Sequence, residues 1–158
     1  MTKNEILATI EEKGTADALE LRAEAAAGTV TDTEIIDREE AVPEWDAGRD
    51  YTDCPVGTPV AYGGQVYGLN IPHNAAHYPN DNPGNNRTLW GLKHTTNPYK
   101  AKPYVQSEGT SGLYMLGECC TDPEAENPDQ VYIANRDNVD RPPHEYADYW
   151  TAWDVETK

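Results

Sequence analysis

Aromatic side chains that carry a polar group are the residues of this sequence best suited to ligand binding. The chain has 10 Tyr and 4 Trp but no Phe, and Tyr and Trp suit half-exposed positions because one part of each ring system is apolar and another is polar. A sugar ring, with an apolar face and hydroxyl groups around it, needs such surfaces with polar groups beside them. The candidate binding residues, for a carbohydrate or for an interface, are Tyr62, Tyr67, His73, Trp90, Tyr132, Trp150 and Trp153.

Packing is the alternative role for the tryptophans in this set. A small β-module needs large side chains to bury enough apolar area, and Trp90 and Trp150 fit that role as well. Trp150 and Trp153 fall on opposite faces of a strand because their spacing is odd. One of these two rings can therefore pack while the other is exposed.

The other chemistry-bearing residues form no recognisable catalytic or metal-binding motif. His73 and His77 have the spacing of a helical zinc motif but lack its Glu, so we interpret them as hydrogen-bonding loop residues. The acidic run at 122–129 lacks the glycine and the ligand spacing of a calcium loop and is interpreted as solvent-exposed. Without a visible nucleophile–base pair or phosphate loop, we expect a non-enzyme with neither a cofactor nor a metal.

The net charge of −16 limits the partners that we expect. Phosphate binding requires a Lys/Arg surface, so nucleic acid is not an expected partner, and an anionic membrane is not one either. The sequence shows no signal peptide and no run near the roughly 20 apolar residues of a membrane span.

The three cysteines are odd in number, and two of them are adjacent. This is not a secreted disulfide framework, so we interpret Cys54, Cys119 and Cys120 as reduced. A bond from Cys54 to either of the other two remains an open alternative.

Residues 1–41 are predicted to form three short helices. Capping-box patterns occur at Thr2 to Glu5 and at Thr31 to Glu34, and Gly28 is a natural helix end. Short helices with narrow apolar faces are marginal alone. They need a partner: each other, a second copy of the chain, or a larger assembly. A partly disordered acidic tail is the alternative.

The remaining sequence predicts a mainly β fold with two small antiparallel modules, at 42–97 and 98–158. In the first, the Gly63-Gly64 turn joins the strands in "TPVAYGG" and "QVYGLNI", and "LWGLKHT" supplies the last strand. In the second, the strands lie in "GLYMLGECC", "DQVYIAN" and "YWTAWDV", and "NPYKAKP" is a linker between modules. The order Tyr, Gly, Val-Tyr, Asn/Pro loop and Trp occurs twice, which indicates a duplication.

This order of residues resembles the chitinase-type carbohydrate-binding modules. The matching positions are Trp45, Tyr51, Gly57, Val60, Tyr62, Gly64, Val66 and Tyr67. The second half is similar more loosely: Tyr104 is the nearest residue to an opening Trp, and Gly117-Glu118 stands where the family often has Gly-Asp.

The whole arrangement, an acidic helical N-terminus followed by two such modules, is similar to a group of tailed-phage and prophage virion proteins. Phrases such as "PHNAAHYP", "AKPYVQSEGTSGLYM" and "ECCTD" contribute to that resemblance. It implies a virion component, made in the host cytoplasm, that forms a homo-oligomer and contacts other virion proteins through residues 1–41.

The resemblance also implies outward β-modules that bind host-surface or mucus glycans. One alternative is a purely structural cementing subunit whose modules make protein–protein contacts. A detached sugar-binding subunit of a glycan hydrolase is a third and weaker possibility.

Overall fold

The computed structural model of the protein describes residues 20–154, and β-structure dominates them. Seven strands in this part of the chain form two sheets, one of three strands and one of four. The predicted mainly β fold class is therefore confirmed. The capping box predicted at Thr2 to Glu5 lies outside the described residues.

Within residues 20–154, two α-helices precede the first sheet. The described part of α1 covers 20–27, and Gly28 follows it with a φ of +70°, the left-handed conformation that commonly ends a helix. Helix α2 is Asp32–Asp37, and the Thr31 side chain accepts a hydrogen bond from the Glu34 backbone N–H at 3.2 Å. Both predicted helix signals are therefore present. A 3₁₀ turn, Glu39–Ala41, follows α2.

These helices pack against the first sheet. Leu21 of α1 and Ile35 and Ile36 of α2 form one buried cluster with Val66 of that sheet. Short helices need a packing partner, and for the described helical residues the sheet provides it. Within residues 20–154, no helix has the length and apolar character that a membrane crossing requires.

The first sheet is an antiparallel meander of β1 (Pro59–Tyr62), β2 (Gln65–Leu69) and β3 (Trp90–Leu92). The predicted hairpin turn lies between β1 and β2, where Gly63 and Gly64 have φ of +58° and +80°. Glycine suits this turn because positive φ is strained for other residues.

The second sheet contains β4 (Lys102–Pro103), β5 (Cys119–Thr121), β6 (Val131–Ala134) and β7 (Trp150–Ala152). Strands β5, β6 and β7 are antiparallel, as predicted, whereas β4 pairs in parallel with β5. Strand β4 lies in the predicted linker. The stretch 104–118 between β4 and β5 is long enough for the crossover that parallel pairing requires.

The two sheets repeat one hydrogen-bonding pattern. Gly57 donates its N–H to the last residue of β2 at 2.7 Å, and Gly117 donates to the last residue of β6 at 2.9 Å. Both glycines have positive φ, +96° and +90°. The last residue of β2 pairs with Trp90, and the last residue of β6 pairs with Trp150. Gly57 therefore corresponds to Gly117, and Trp90 corresponds to Trp150.

The opening segments correspond as well. Trp45 donates its backbone N–H to the Ala61 carbonyl at 2.8 Å. Tyr104 donates its backbone N–H, also at 2.8 Å, to the carbonyl of the last residue of β5, which corresponds to Ala61 in the strand register. Tyr104 therefore occupies the position of Trp45. The residue after the acceptor is Tyr62 in the first module and Asp122 in the second, so Asp122 occupies the position of Tyr62.

The connection between the sheets is held by side chains from both sides. The His94 ring stacks on Tyr114 of the second module, with centroids 3.7 Å apart, and the Cys119 N–H donates to Thr95 at 2.8 Å. Three contacts link the segment that contains α2 to this connection: Thr33 to Thr96, Asp37 to Asn97, and Glu39 to Lys102.

All three cysteines are buried free thiols. Cys54 lies in the core of the first module, whereas Cys120 lies in the core of the second, so the open alternative of a disulfide from Cys54 is not realised. Burial raises the pKa of the Cys119 thiol to about 11 and raises that of Cys120 as well. Both thiols are therefore protonated and poorly nucleophilic at neutral pH.

Candidate functional site

The two tryptophans that follow the long loops are core residues. Trp90 is fully buried and packs edge to face on Tyr51, with ring centroids 5.1 Å apart. Trp150 is buried against Tyr114 at 5.3 Å and donates its Nε1–H to the Arg141 carbonyl at 2.9 Å. Of the two roles open to them, packing is the one that these rings have in the structure.

Two further candidates are also buried. Tyr67 belongs to the first core, and His73 bonds through Nδ1 to the Ile71 carbonyl at 2.7 Å, with its ring 5.5 Å from that of Trp90. The hydrogen bond fits the interpretation of His73 as a loop residue. A binding role for Tyr67, His73, Trp90 and Trp150 does not fit this burial, because none of these rings offers a face to a ligand.

The remaining candidates are half-buried and lie apart. Trp153 packs edge to face on the exposed ring of Tyr99, with centroids 5.2 Å apart. Tyr132 packs on the outside of the second core. Tyr62 meets Trp45 at 5.7 Å, with the rings perpendicular. The candidate list therefore does not form one site, but Tyr62 and Trp45 form an aromatic pair.

This aromatic pair is the first candidate binding site. Trp45 is fixed by its backbone bond to Ala61, and Tyr62 ends β1 immediately before the Gly-Gly turn. The Asn-rich loop lies against the Tyr62 ring: a Cβ at Gly84 would lie 3.2 Å from Tyr62 Cε1. Two half-buried rings beside amide side chains are suited to a ligand with one apolar face and several hydroxyl groups.

The equivalent position in the second module is a more polar groove. It has a volume of about 320 Å³. One aromatic ring lines it, and carboxylate, amide and imidazole groups surround that ring. The lining residues are Tyr104, Gln106, Asp122, Pro123, Glu124, Pro142, His144 and Glu145.

Tyr104 is fixed in this groove by stacking and by a hydrogen bond. Its ring stacks on Tyr114, with centroids 5.2 Å apart, and its hydroxyl donates to Gln106 Oε1 at 3.1 Å. Gln106 in turn donates from Nε2 to the Asp140 carbonyl at 2.8 Å. Burial raises the pKa of Tyr104 to about 12, so its hydroxyl is protonated at neutral pH.

Asp122 is the buried acid of the groove, with 2% of its surface exposed. It accepts hydrogen bonds from the backbone N–H groups of Glu124 at 3.0 Å and His144 at 2.9 Å, and from His144 Nδ1 at 2.7 Å. Burial opposes ionisation, but these bonds outweigh it and hold the pKa of Asp122 below its usual value. Asp122 is therefore an anion that fixes the imidazole ring.

The second nitrogen of His144 faces two more carboxylates. Its Nε2 lies 3.4 Å from Glu124 Oε2 and 3.8 Å from Glu145 Oε1. The hydrogen bond to Asp122 raises the pKa of His144, and the neighbouring acids raise it further against a smaller opposing effect of burial. The imidazole is therefore a cation over a wider pH range than a free histidine.

The sequence interpretation missed this cluster. The run at 122–129 was expected to be solvent-exposed, but its first residue is buried. Asp122 and His144 are 22 residues apart, so no local motif relates them. Tyr104 had a detectable signal, since it is the aromatic residue nearest to the position of the opening Trp in the second module.

No protein-family model matches this chain, and no curated protein matches it either. Within the described residues, the Trp45–Tyr62 pair, the groove of the second module and the repeated sequence pattern are features that indicate a function.

Proposed function

We propose that this chain is a non-enzymatic accessory protein of a tailed-phage particle and that its two β-modules bind glycans. The glycan part rests on one observation: Trp45 and Tyr104 occupy the same hydrogen-bonded position in the two sheets. Both rings are half-buried, and polar side chains line the groove beside Tyr104. A repeated aromatic residue at the edge of a repeated sheet is what a duplicated sugar-binding module would retain.

The chemistry of the second groove favours particular sugars. Gln106 and the exposed carboxylate of Glu124 line it, and both suit hydroxyl groups. The groove carries three carboxylates against one imidazole, so it disfavours anionic sugars through like-charge repulsion. Neutral N-acetylated sugars and amine-bearing sugars are the expected ligands.

The virion part is supported by the sequence resemblance and by the acidic helical segment. In this proposal the protein resides in the virion as a homo-oligomer, and residues 1–41 contact other virion proteins. Its test is a cryo-EM map of the particle together with mass spectrometry of purified particles. Absence of the chain from purified particles would overturn this part and leave the glycan part standing.

The glycan part is tested by Trp45→Ala and Tyr104→Ala, singly and together. Chitin pull-down and calorimetry with soluble N-acetylglucosamine oligomers measure binding, and circular dichroism checks folding. Each variant is expected to weaken binding at its own site about tenfold, since loss of about 1.4 kcal/mol of aromatic contact is a tenfold change in affinity. The double variant is expected to lose binding.

Tyr78→Ala and Tyr99→Ala are the matched controls, because they remove exposed aromatic rings that lie beside His73 and Trp153 and not in the groove of Tyr104. They are expected to bind as the wild-type protein does. Glycan binding unchanged in the folded double variant, or no binding by the wild-type protein, contradicts the proposal.

A cementing subunit is the second candidate function, and one surface feature favours it. Met115 and Leu116 are adjacent and exposed, at 40% and 64%. Their turn is rigid: the Met115 N–H donates to the Glu118 carboxylate at 2.6 Å, and the Leu116 N–H donates to Asp137 at 3.0 Å. A fixed apolar turn is a suitable anchor at a protein interface. In this case Leu116→Asp abolishes incorporation into particles and leaves glycan binding unchanged.

A further inference from the structure

We propose that the exposed ring of Tyr146 binds an arginine guanidinium group of a basic protein partner. Tyr146 stacks on Tyr149, with ring centroids 5.1 Å apart and an angle of 21° between the ring planes. Arg136 also packs on Tyr149, with its Cζ 4.3 Å from the ring centroid. We call these three side chains the tyrosine stack. The inference concerns a protein contact and does not depend on glycan binding.

The backbone and the core of the second module hold the tyrosine stack in place. Tyr149 is half-buried and packs against the second core. The Tyr146 N–H donates to the Pro142 carbonyl at 3.0 Å, and the Tyr149 N–H donates to the Tyr146 carbonyl at 3.1 Å. Because both rings are already ordered, a partner that contacts Tyr146 loses little affinity to the ordering of this side chain.

One face of the Tyr146 ring is available to a partner. The residue is 46% exposed, and among residues 20–154 the ring that it contacts is that of Tyr149. An ordered and exposed tyrosine is a suitable anchor at an interface, because it supplies a large contact area at a low cost in side-chain entropy.

The surroundings of this ring favour a cation. The face of a tyrosine ring is electron-rich and attracts a guanidinium group, and the contact of Arg136 with Tyr149 is an example within the stack itself. Glu145 and Asp148 lie on either side of Tyr146 in the sequence, and both are exposed. Their carboxylates attract a cation and repel an anion.

The charge of the chain favours a different protein as the partner over a second copy. The net charge is −16, so two copies repel each other wherever their acidic surfaces meet. A basic partner is instead attracted to this surface. Arginine suits it better than lysine, because the planar guanidinium group can stack on an aromatic ring.

The tyrosine stack is not required by the fold. The residue that follows β2 donates its N–H to the Leu89 carbonyl at 2.8 Å, and the residue that follows β6 donates to Tyr149 at 3.0 Å. Leu89 therefore corresponds to Tyr149. Asn86 corresponds to Tyr146, since each lies four residues before the buried tryptophan and donates its N–H four residues back at 3.0 Å. The first module folds without these rings, so the stack is an added surface of the second module.

The test is an NMR titration of the full chain with a capped peptide of alternating glycine and arginine. The matched probe is the same peptide with neutral citrulline in place of arginine. The arginine peptide is expected to shift the resonances of the Tyr146 ring, and the citrulline peptide is not. Tyr146→Ala is expected to weaken binding about two- to fivefold, as for a cation–π contact at an exposed site. Tyr146→Phe retains the ring and is expected to bind as the wild-type protein does.

Tyr78→Ala is the matched control, because it removes a ring of similar exposure, 51%, from the first module and leaves the net charge unchanged. It is expected to bind the arginine peptide normally, and circular dichroism checks the folding of each variant. Equal binding by the wild type and the folded Tyr146→Ala variant overturns the proposal, as does an equal response to the citrulline peptide. A response of Tyr146 to N-acetylglucosamine oligomers but not to the arginine peptide also overturns it, because the ring would then be a sugar contact.

Discussion

The two modules have the same arrangement of three antiparallel strands and differ in the side chains of their candidate binding sites. Trp45 and Tyr104 occupy the same hydrogen-bonded position, but the next groove residue is Tyr62 in one module and Asp122 in the other. The pairing pattern depends on main-chain hydrogen bonds and on a glycine with positive φ. Because these elements do not involve the groove side chains, the chemistry of each groove can change without loss of the fold.

The cores differ in one polar contact. The Nε1–H of Trp150 donates to the Arg141 carbonyl, whereas the Nε1–H of Trp90 is buried without a partner among the described residues. An unpaired buried N–H costs stability. The two tryptophans thus fill equivalent space, but burial of the unpaired Trp90 N–H lowers stability. Mutation can measure this difference in the free energy of unfolding.

The largest expected effect is that of removing either ring. Trp90→Ala and Trp150→Ala should each lower the free energy of unfolding of the altered module by about 3–5 kcal/mol, because each leaves a large cavity. Urea unfolding followed by circular dichroism, with hydrogen exchange to separate the modules, measures the loss.

The Trp→Phe variants at the same two positions test the hydrogen bond separately from the ring. Trp150→Phe leaves the Arg141 carbonyl without its donor, whereas Trp90→Phe removes an N–H that has no partner. Trp150→Phe should therefore cost about 1 kcal/mol more. Equal costs in the two modules would show that the hydrogen bond makes no net contribution.

The corresponding glycines should give the next largest effect. Gly57→Ala and Gly117→Ala each force a side chain into positive φ, at a cost of about 1–2 kcal/mol. A Cβ at position 57 would also lie 3.3 Å from the Ala25 carbonyl oxygen, whereas at position 117 the nearest atom is Thr96 Cγ2 at 3.8 Å. Gly57→Ala should therefore be the more destabilising change in thermal and urea unfolding. The reverse order would contradict the packing of α1 on this turn.

The smallest expected effect is a pH dependence confined to the second module. The lowered pKa of Asp122 contributes stability above its unfolded value near 3.9, and this is lost as the pH falls through the folded pKa. The raised pKa of His144 contributes stability below its unfolded value near 6.5, and this is lost as the pH rises through the folded pKa. The pair therefore stabilises the module most between about pH 4 and 6.5.

Asp122→Asn should remove this dependence from the second module and leave the first unchanged. Hydrogen exchange of β2 and β6 at a series of pH values measures both modules in one sample. An unchanged pH profile for β6 in the variant would show that the pair does not contribute to stability.

Features with local causes were predictable from the sequence. The Gly63-Gly64 turn and the Thr31 helix cap depend on residues within three or four positions of each other, and both are present. The mainly β fold class follows from the same local signals. Strand β4 was missed because "KP" has no strand propensity and its pairing is set by a distant strand.

Burial was less predictable because the first sheet is covered on both faces. Val66 and Tyr67 are neighbours in β2 and point to opposite faces, yet both are buried. Helices α1 and α2 cover the Val66 side. Strand alternation therefore could not separate an exposed aromatic ring such as a binding residue from a core ring such as Tyr67.

The contacts that fix the connection between the two sheets affect the entropy of binding to both modules. The Thr33, Asp37 and Glu39 side chains contact 96–102, and the His94 ring stacks on Tyr114 of the second module. These contacts restrict the relative orientations of the two modules. An extended polymer or particle surface that touches both modules meets them already in position. The second contact then loses little configurational freedom, and the effective concentration of one module beside the other is set by the fold.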